Sequence, residues 1–530
     1  MYVDGRPFLI LGGELHNSSP SSTAYMEPIW KTLSGLHLNT VIGAASWELV
    51  EPEQGHYDFK LVDAQIAEAR KRGIHLVLIW FASYKNAESR YAPTWVRKDL
   101  SKYPRVVFSE KNAGDNAFAG MSGAQAVLLS PVSDSLASAD AKAFAALMKH
   151  IREVDPAHTV MMMQVENEMG MLGDSRDHSV AAEDAWKEQV PDALLNYMQK
   201  HKDLLRPELT KVWARQGNRT KGNWAEVFGE DWQADEIFMA WQFATFTNRV
   251  AKAGKAELPI PMYVNAWLGP QPHADKAGQY PSGGPVAKMM DVWKAGAPSI
   301  DLEAPDIYVP QVDATFADYT RADNPLFTPE TQPIAGDIFR DLGAHSGMGY
   351  SVFGIEESPT DGQIASAYQL LVPAIPAITA GQAAGKIRGF ALDTDQTFQT
   401  TLGDWDISVA GIFDAMKKYM LDAGMAPPKD TRVSRSEGRG LMAPVMTDMR
   451  PSGLILQLGP DEFLLMGSGF SFNFKTAGGK GSKFEVDSME EGSFDNGRWV
   501  PGRRLNGDER YSPLPVDHFG MVRVRLIRPR

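Results

Sequence analysis

The stretch Met161–Gly170 ends an apolar run abruptly in Gln164, Glu166 and Glu168, with Asn167 between the two acids. Along a strand, residues two apart share a face, so these three side chains are expected on one side. Carboxylates at the end of a buried strand are costly to desolvate unless they are paired or used. Glycoside hydrolysis uses two carboxyl groups flanking the scissile bond, one protonated and one ionised. Glu168 is the candidate acid, with an elevated pKa expected, and Glu330, closing the segment from Asn324 to Glu330, is the candidate for the other. A separation of about 5 Å would let Glu330 attack the anomeric carbon directly, with retention of configuration. Glu356 and Glu357 are rivals on the same rim, and Glu303 is a lesser one. Glu166 is expected to support the strand end as the buried partner of a basic group.

Eight apolar runs alternate with helical periodicity, and these must position the acids. The expected strands are 8–12, 38–43, 74–79, 158–165, 260–265, 306–310, 326–330 and 349–354. Helices are expected over 25–36, 59–72, 139–154, 181–200, 235–253 and 363–380. This is an α/β chain, a (β/α)8 barrel with enlarged loops. A doubly wound sheet is the rival, but no Gly-rich phosphate turn follows the first strand. After residue 388 short alternating runs separated by Pro, Gly, Asp and Ser predict a smaller all-β sandwich over 389–530. Gly478–Gly481 reads as a hairpin loop.

Barrel active sites lie at the C-terminal strand ends. That rule collects Glu14, His16, Trp47, Glu48, Trp80, Glu166, Asn167, Glu168, Trp267, Tyr308 and Glu330 around one cleft. Trp, Tyr, amides and carboxylates suit a sugar, and Trp47, Trp80 and Trp267 are candidate platforms, with Trp224 in the long loop a weaker one. Glu14 and His16 divide between sugar contact and structural support. Nothing resembles a phosphate cradle.

The net charge of −13 argues against nucleic acid and against an anionic membrane surface. No stretch reads as a membrane span. The absence of cysteine excludes disulfides and thiolate chemistry. The 11 histidines show no metal-ligand spacing, so no metal or cofactor is expected. The 24 methionines, Met161 to Met163 included, read as packing. No signal peptide is visible, which implies a cytoplasmic protein as given, or a periplasmic or secreted one if a leader was removed. A homo-oligomer is compatible with all of this.

Gln164-Val165-Glu166-Asn167-Glu168 resembles the acid/base strand of the β-galactosidases of glycoside hydrolase family 35. Val3-Asp4-Gly5 with Gly12-Gly13-Glu14-Leu15-His16 resembles that family's opening strand. Asn39-Thr40-Val41, Trp47-Glu48, Glu51-Pro52 and Gly55-His56-Tyr57-Asp58-Phe59 resemble its second. The resemblance covers about the first 360 residues. It implies a retaining β-galactosidase, with Glu168 as acid/base and Glu330 as nucleophile. It further implies that Asn167 bonds the sugar 2-hydroxyl and that Tyr308 orients Glu330. The third strand departs from the family's Cys-Ala-Glu-Trp galactose clamp and reads Trp80-Phe81-Ala82-Ser83-Tyr84-Lys85-Asn86. The expectation is therefore a retaining exo-β-galactosidase acting on oligo- or polysaccharide. The alternatives are a β-glucosidase, a β-xylosidase, an endo-glycanase, or a non-catalytic carbohydrate-binding barrel.

Overall fold

The computed structural model describes residues 1–109, 127–427, 450–479, 483–495 and 497–529. Eight parallel strands form one sheet: β1 (Ile10–Glu14), β2 (Thr40–Ser46), β3 (His75–Lys85), β4 (Val160–Asn167), β5 (Met262–Trp267), β6 (Leu302–Ile307), β7 (Glu330–Thr331) and β8 (Gly349–Phe353). β8 pairs with β1. Closure between β7 and β8 runs through the parallel bridge Thr328–Tyr350. The principal helices are α1 (Thr23–Gly35), α2 (Lys60–Arg72), α3 (Asp134–Val154), α4 (Trp232–Glu257), α5 (Met290–Gly296), α6 (Val312–Tyr319), α7 (Ala335–Ala344) and α8 (Gln363–Leu371). One follows each strand in turn, which is the (β/α)8 order.

Two apolar layers hold the barrel. Ile10, Ile42, Val77, Ile79, Phe81, Met162, Tyr263, Leu302, Ala304 and Phe327 fill its interior. The outward residues of the same strands, among them Val41, Leu76, Leu78 and Val165, join the helices in the larger core. This split is the strand alternation read from the sequence. α2 stops at Gly73, whose φ of 67° supplies the left-handed cap. α3 begins at Ser133, whose side chain accepts a hydrogen bond from the Leu136 N–H.

Several expected elements shift. β6 runs over Leu302–Ile307, four residues earlier than the expected 306–310, so Asp306 sits near the tip of the strand and not at its start. The helix expected over 181–200 is two, Val180–Lys187 and Asp192–Lys200, broken at Pro191, which cannot continue a helix. Residues 363–383 are apolar and long enough to cross a membrane by those measures alone, with a mean hydropathy of 1.4, contrary to the sequence reading. Here they fold as α8, a single 3-10 turn carrying Pro373, and a further helix over Ile375–Ala383, with Tyr368, Leu371 and Ile378 in the main core.

The second region begins with β9 (Ile387–Ala391), two residues before the expected boundary. It continues with β10 (Thr397–Leu402), β11 (Trp405–Gly411), β12 (Ser452–Gly459), β13 (Glu462–Ser468), β14 (Phe470–Thr476), β15 (Glu485–Asp495), β16 (Arg498–Arg504) and β17 (Gly520–Ile527). These make a six-stranded antiparallel sheet, β9-β12-β13-β17-β15-β16, and a three-stranded one, β10-β11-β14. Phe390, Trp405, Phe463, Phe470 and Val522 pack between the two sheets. The other face of the larger sheet lies on the barrel: Leu454, Leu464 and Met521 belong to the main core, and Phe519 meets Phe339 of α7 at 5.1 Å. The loop expected at 478–481 lies partly outside the described residues.

Candidate functional site

The tips of β3 and β4 are built as one unit. Glu166 and Glu168 have φ values of 63° and 43°, and Asn86 and Ala87 have 52° and 55°. None is glycine, so each left-handed conformation costs on the order of 1–3 kcal/mol and is held by its surroundings. The backbones lock together: the Asn86 N–H donates to the Asn167 carbonyl (3.2 Å) and the Ala87 N–H to the Glu168 carbonyl (3.1 Å).

These two positive φ angles break the strand alternation, and they correct the expectation that Gln164, Glu166 and Glu168 share a face. Gln164 stays inside, donating to the Asn167 Oδ1 (2.9 Å). Glu166 turns towards α3 and meets Asp140. Its carboxyl accepts the Ser83 N–H at 3.3 Å and the Tyr84 N–H at 2.7 Å. Its neighbour is therefore an acid and two amides, not the expected basic group. Burial and the adjacent Asp140 push the Glu166 carboxyl well above the usual range, so the pair retains a proton. Asp140 also accepts the Trp80 indole N–H at 2.8 Å and the Ser83 hydroxyl.

Glu166 thereby anchors a wide bulge in β3. Trp80 pairs with Val165 and Lys85 with Asn167, so five steps of β3 span two of β4. The extra length carries Lys85 and Asn86 to the cleft.

A cleft of about 1200 Å³ opens at these strand ends. Its walls include His16, Lys85, Asn86, Glu168, Trp267, Asp306, Tyr308, Glu330 and Phe353. The two candidate acids therefore face one space. Glu330 Oε1 accepts the Tyr308 hydroxyl at 2.6 Å, which leaves Oε2 without a partner. The Glu168 backbone N–H donates to the Asn265 Oδ1 (3.0 Å). The Asn265 amide donates in turn to Asn167 Oδ1 (3.1 Å) and Asp306 Oδ2 (2.6 Å). Asn265 thus ties β4 to β6.

Burial raises the Glu168 pKa to about 7, and the Glu330 charge adds to the effect. Lys85 and a hydrogen bond with Asp306 pull it back down. Asp306 itself is driven well above the usual carboxylate range by burial, then by Glu330, Glu168 and Glu14. Glu14 lies beneath the cleft, 1% exposed, and neither of its oxygens has a hydrogen-bond partner. Burial and the Glu330 charge raise its pKa too.

Other expected residues are placed elsewhere. Trp47 and Trp80 are fully buried in the layer between barrel and helices, 6.5 Å from each other. They are therefore not sugar platforms: they lie on outward positions, and Trp80 also packs on Phe144 of α3. Trp224 packs on Phe228 and Phe238. Trp267 does line the cleft. Glu356 accepts the His16 N–H (3.0 Å) and the Ser19 hydroxyl (2.7 Å), while Glu357 pairs with the His16 ring at 3.0 Å. Both rivals are thus engaged in pinning the loop after β1. Glu303 is buried near the beginning of β6 and does not border the cleft. Glu48 does not border it either.

The sequence reading missed Lys85, Asn86, Asn265 and Asp306. The shifted phase of β6 hid Asp306, whereas Asn265 was visible as the polar end of an apolar run. Among the described residues, no group of three or more His, Asp or Glu could hold a metal ion.

Comparison with known proteins reaches the same region. Residues 21–222 match the model of glycoside hydrolase family 42, described as beta-galactosidase. The matching model is thus family 42, where the strand motifs resemble family 35. Residues 364–514 match a domain of unknown function, DUF5597. A beta-galactosidase of Xanthomonas manihotis is 30% identical over 187 residues, covering 34% of this chain and 26% of that protein. The chain thus aligns with about a quarter of the length of that curated relative. Among solved structures, the beta-galactosidase from Bacillus circulans sp. alkalophilus aligns with a TM-score of 0.46 and 15% identity, over 71% of this chain and 58% of the other. The catalytic domain of a beta-amylase from Paenibacillus polymyxa aligns with a TM-score of 0.44 and 10% identity, over 67% and 93%.

Proposed function

We propose that the chain is a retaining, exo-acting β-glycosidase that removes terminal β-D-galactosyl residues from oligo- or polysaccharides. The observation that carries this is the pair of carboxyl groups in one cleft with unlike environments. Glu168 is desolvated and titrates near 7, while Glu330 is held through one oxygen by Tyr308 with the other free. Unlike environments on paired acids divide the roles of proton donor and nucleophile.

In the first step Glu168 gives its proton to the glycosidic oxygen as the C1–O bond breaks, and Glu330 Oε2 bonds C1. In the second, Glu168, now ionised, takes a proton from water as the water oxygen attacks C1 and releases Glu330. Asn167 is the partner proposed for the sugar 2-hydroxyl, from a buried position behind the cleft wall where its amide donates to Asn86 Oδ1 at 3.2 Å, and Trp267 the apolar platform. The galactosyl preference rests on the motif resemblance to family 35 and on the description of the matching family 42 model. The cleft exceeds the roughly 300–1000 Å³ of ordinary small-ligand sites, which supports an oligosaccharide on the leaving-group side.

A 2-deoxy-2-fluoro β-galactoside with a good leaving group tests the reading. It should inactivate the enzyme and leave a fluorogalactosyl ester on Glu330 in the peptide map. Labelling of Glu356 or Glu357 would overturn the nucleophile assignment. Product of inverted anomeric configuration would overturn retention.

A further inference from the structure

We infer that Lys85, with Glu14 as its acceptor partner, reads a ring hydroxyl of the galactosyl unit on the side of the ring away from C1. The inference rests on the glycosidase reading above and adds a specificity residue to it.

Unused polar capacity lies on one side of the cleft. If C1 lies between Glu168 on β4 and Glu330 beyond β6, the sugar must find partners along the two arcs joining those strands. On the β5–β6 arc, Asn265 is already bonded to the Glu168 backbone, Asn167 and Asp306, and Tyr308 is bonded to Glu330. On the β1–β3 arc His16 is paired with Glu357 and Asn86 accepts from Asn167, while Glu14 and Lys85 remain open. Glu14 presents two buried oxygens with no partner, and a buried carboxyl left so is costly until something donates to it. Lys85 is 9% exposed, borders the cleft, and makes no ion pair among the described residues. Its Nζ stands 4.9 Å over the Phe81 ring, on top of the barrel's inner core. An ammonium with three donors beside a carboxyl with open lone pairs fits a sugar hydroxyl, which both accepts and donates.

The charge balance fixes the ligand class. Among the described residues that line the cleft, Lys85 is the one ammonium or guanidinium. An added uronate carboxylate would compete with Glu330 for that one cation, so the site takes a neutral pyranose. The placement of Lys85 is also specific to this chain's third strand. It depends on the β3 bulge that the Glu166 carboxyl pins through Ser83 and Tyr84.

The experiment pairs deoxygenation with mutation. Nitrophenyl β-galactoside and its 3-, 4- and 6-deoxy analogues are assayed with wild type, Lys85→Met and Lys85→Arg. In the wild type, one deoxy position should lower kcat/KM by about 10- to 100-fold, the range for a hydrogen bond to a charged group. Lys85→Met should lose a similar factor on the parent and lose nothing further on that analogue, while Lys85→Arg recovers part of the loss. The galacturonide should be refused by all three. Equal losses for Lys85→Met on every analogue, with Glu330 still labelled by the fluoro sugar, would overturn the inference and leave the glycosidase reading intact. Absence of both hydrolysis and labelling in the wild type would instead remove the reading beneath it.

Discussion

On the proposed reading, protonation of Glu168 sets the alkaline limit of the first chemical step. With a pKa of about 7, half of the free enzyme carries that proton at pH 7 and about 1% at pH 9. The expected kcat/KM for phenyl β-galactoside, whose leaving group needs protonation, therefore falls about tenfold per pH unit above 7. Formation of the Glu330 ester then removes the charge that, after burial, does most to raise Glu168. The Glu168 pKa drops in the intermediate, which leaves the group ionised when a base is required. For 2,4-dinitrophenyl β-galactoside, whose leaving group departs without a proton, the alkaline limb of kcat/KM should vanish. Glu168→Gln should keep that substrate's kcat/KM within a few-fold, lose about 10²–10⁴ on the phenyl glycoside, and regain turnover with azide. Stopped-flow and steady-state rates from pH 4 to 10 measure all of this. A flat kcat/KM for the phenyl glycoside up to pH 9, or the same alkaline limb with both leaving groups, would refute the assignment.

Glu166→Ala strips the acceptor from the Tyr84 amide, while the Ser83 amide keeps Asp140, and should cost about 1–3 kcal/mol in chemical denaturation for the one orphaned group, with Glu166→Gln much milder. Asn265→Ala frees the Glu168 backbone and Asp306 together; kcat should drop at least tenfold, and stability should fall by about 1–3 kcal/mol for the orphaned Glu168 amide. Trp267→Ala should raise KM up to about tenfold, whereas Trp80→Phe should leave KM alone and lower Tm, because only Trp267 borders the cleft. Glu14, Glu166 and Asp306 all have folded-state pKa values above their unfolded ones. Their acid forms favour the folded state, so that stability is complete below about pH 4 and is lost as pH rises through the elevated values. Thermal melts should therefore decline on the alkaline side, and Glu166→Gln should flatten that decline.

The barrel was legible because each strand alternates between an inner and an outer apolar layer, and each helix repeats at 3.6 residues. That Glu168 and Glu330 border one cleft was legible because a carboxylate ending an apolar run breaks the pattern visibly. Lys85 was not. It lies at the end of an eleven-residue strand whose bulge is set by a carboxyl on the neighbouring strand, and no local periodicity records a contact of that kind. Trp47 and Trp80 were misplaced because only their strand-tip position was read: each continues the outward alternation of its strand, Ala45 to Trp47 and Leu78 to Trp80, which turns both rings to the helices. Asp306 was obscured by a phase error of four residues in β6, where Glu303-Ala304-Pro305 weakens the apolar signal.

The locked tips of β3 and β4 bear on how such a site can be moved or inherited. The acid/base residue owes its direction to two left-handed residues, and those conformations persist through amides and carbonyls supplied by the adjacent strand. Strand four copied alone into another barrel would relax to regular alternation, return Glu166 to the face of Gln164 and lose the left-handed turn that sets Glu168. The smallest transferable piece is the two-strand cassette from Trp80 to Ala87 and from Gln164 to Glu168, together with one aspartate from α3. Homologous exchange should succeed only when its crossover points leave that cassette whole.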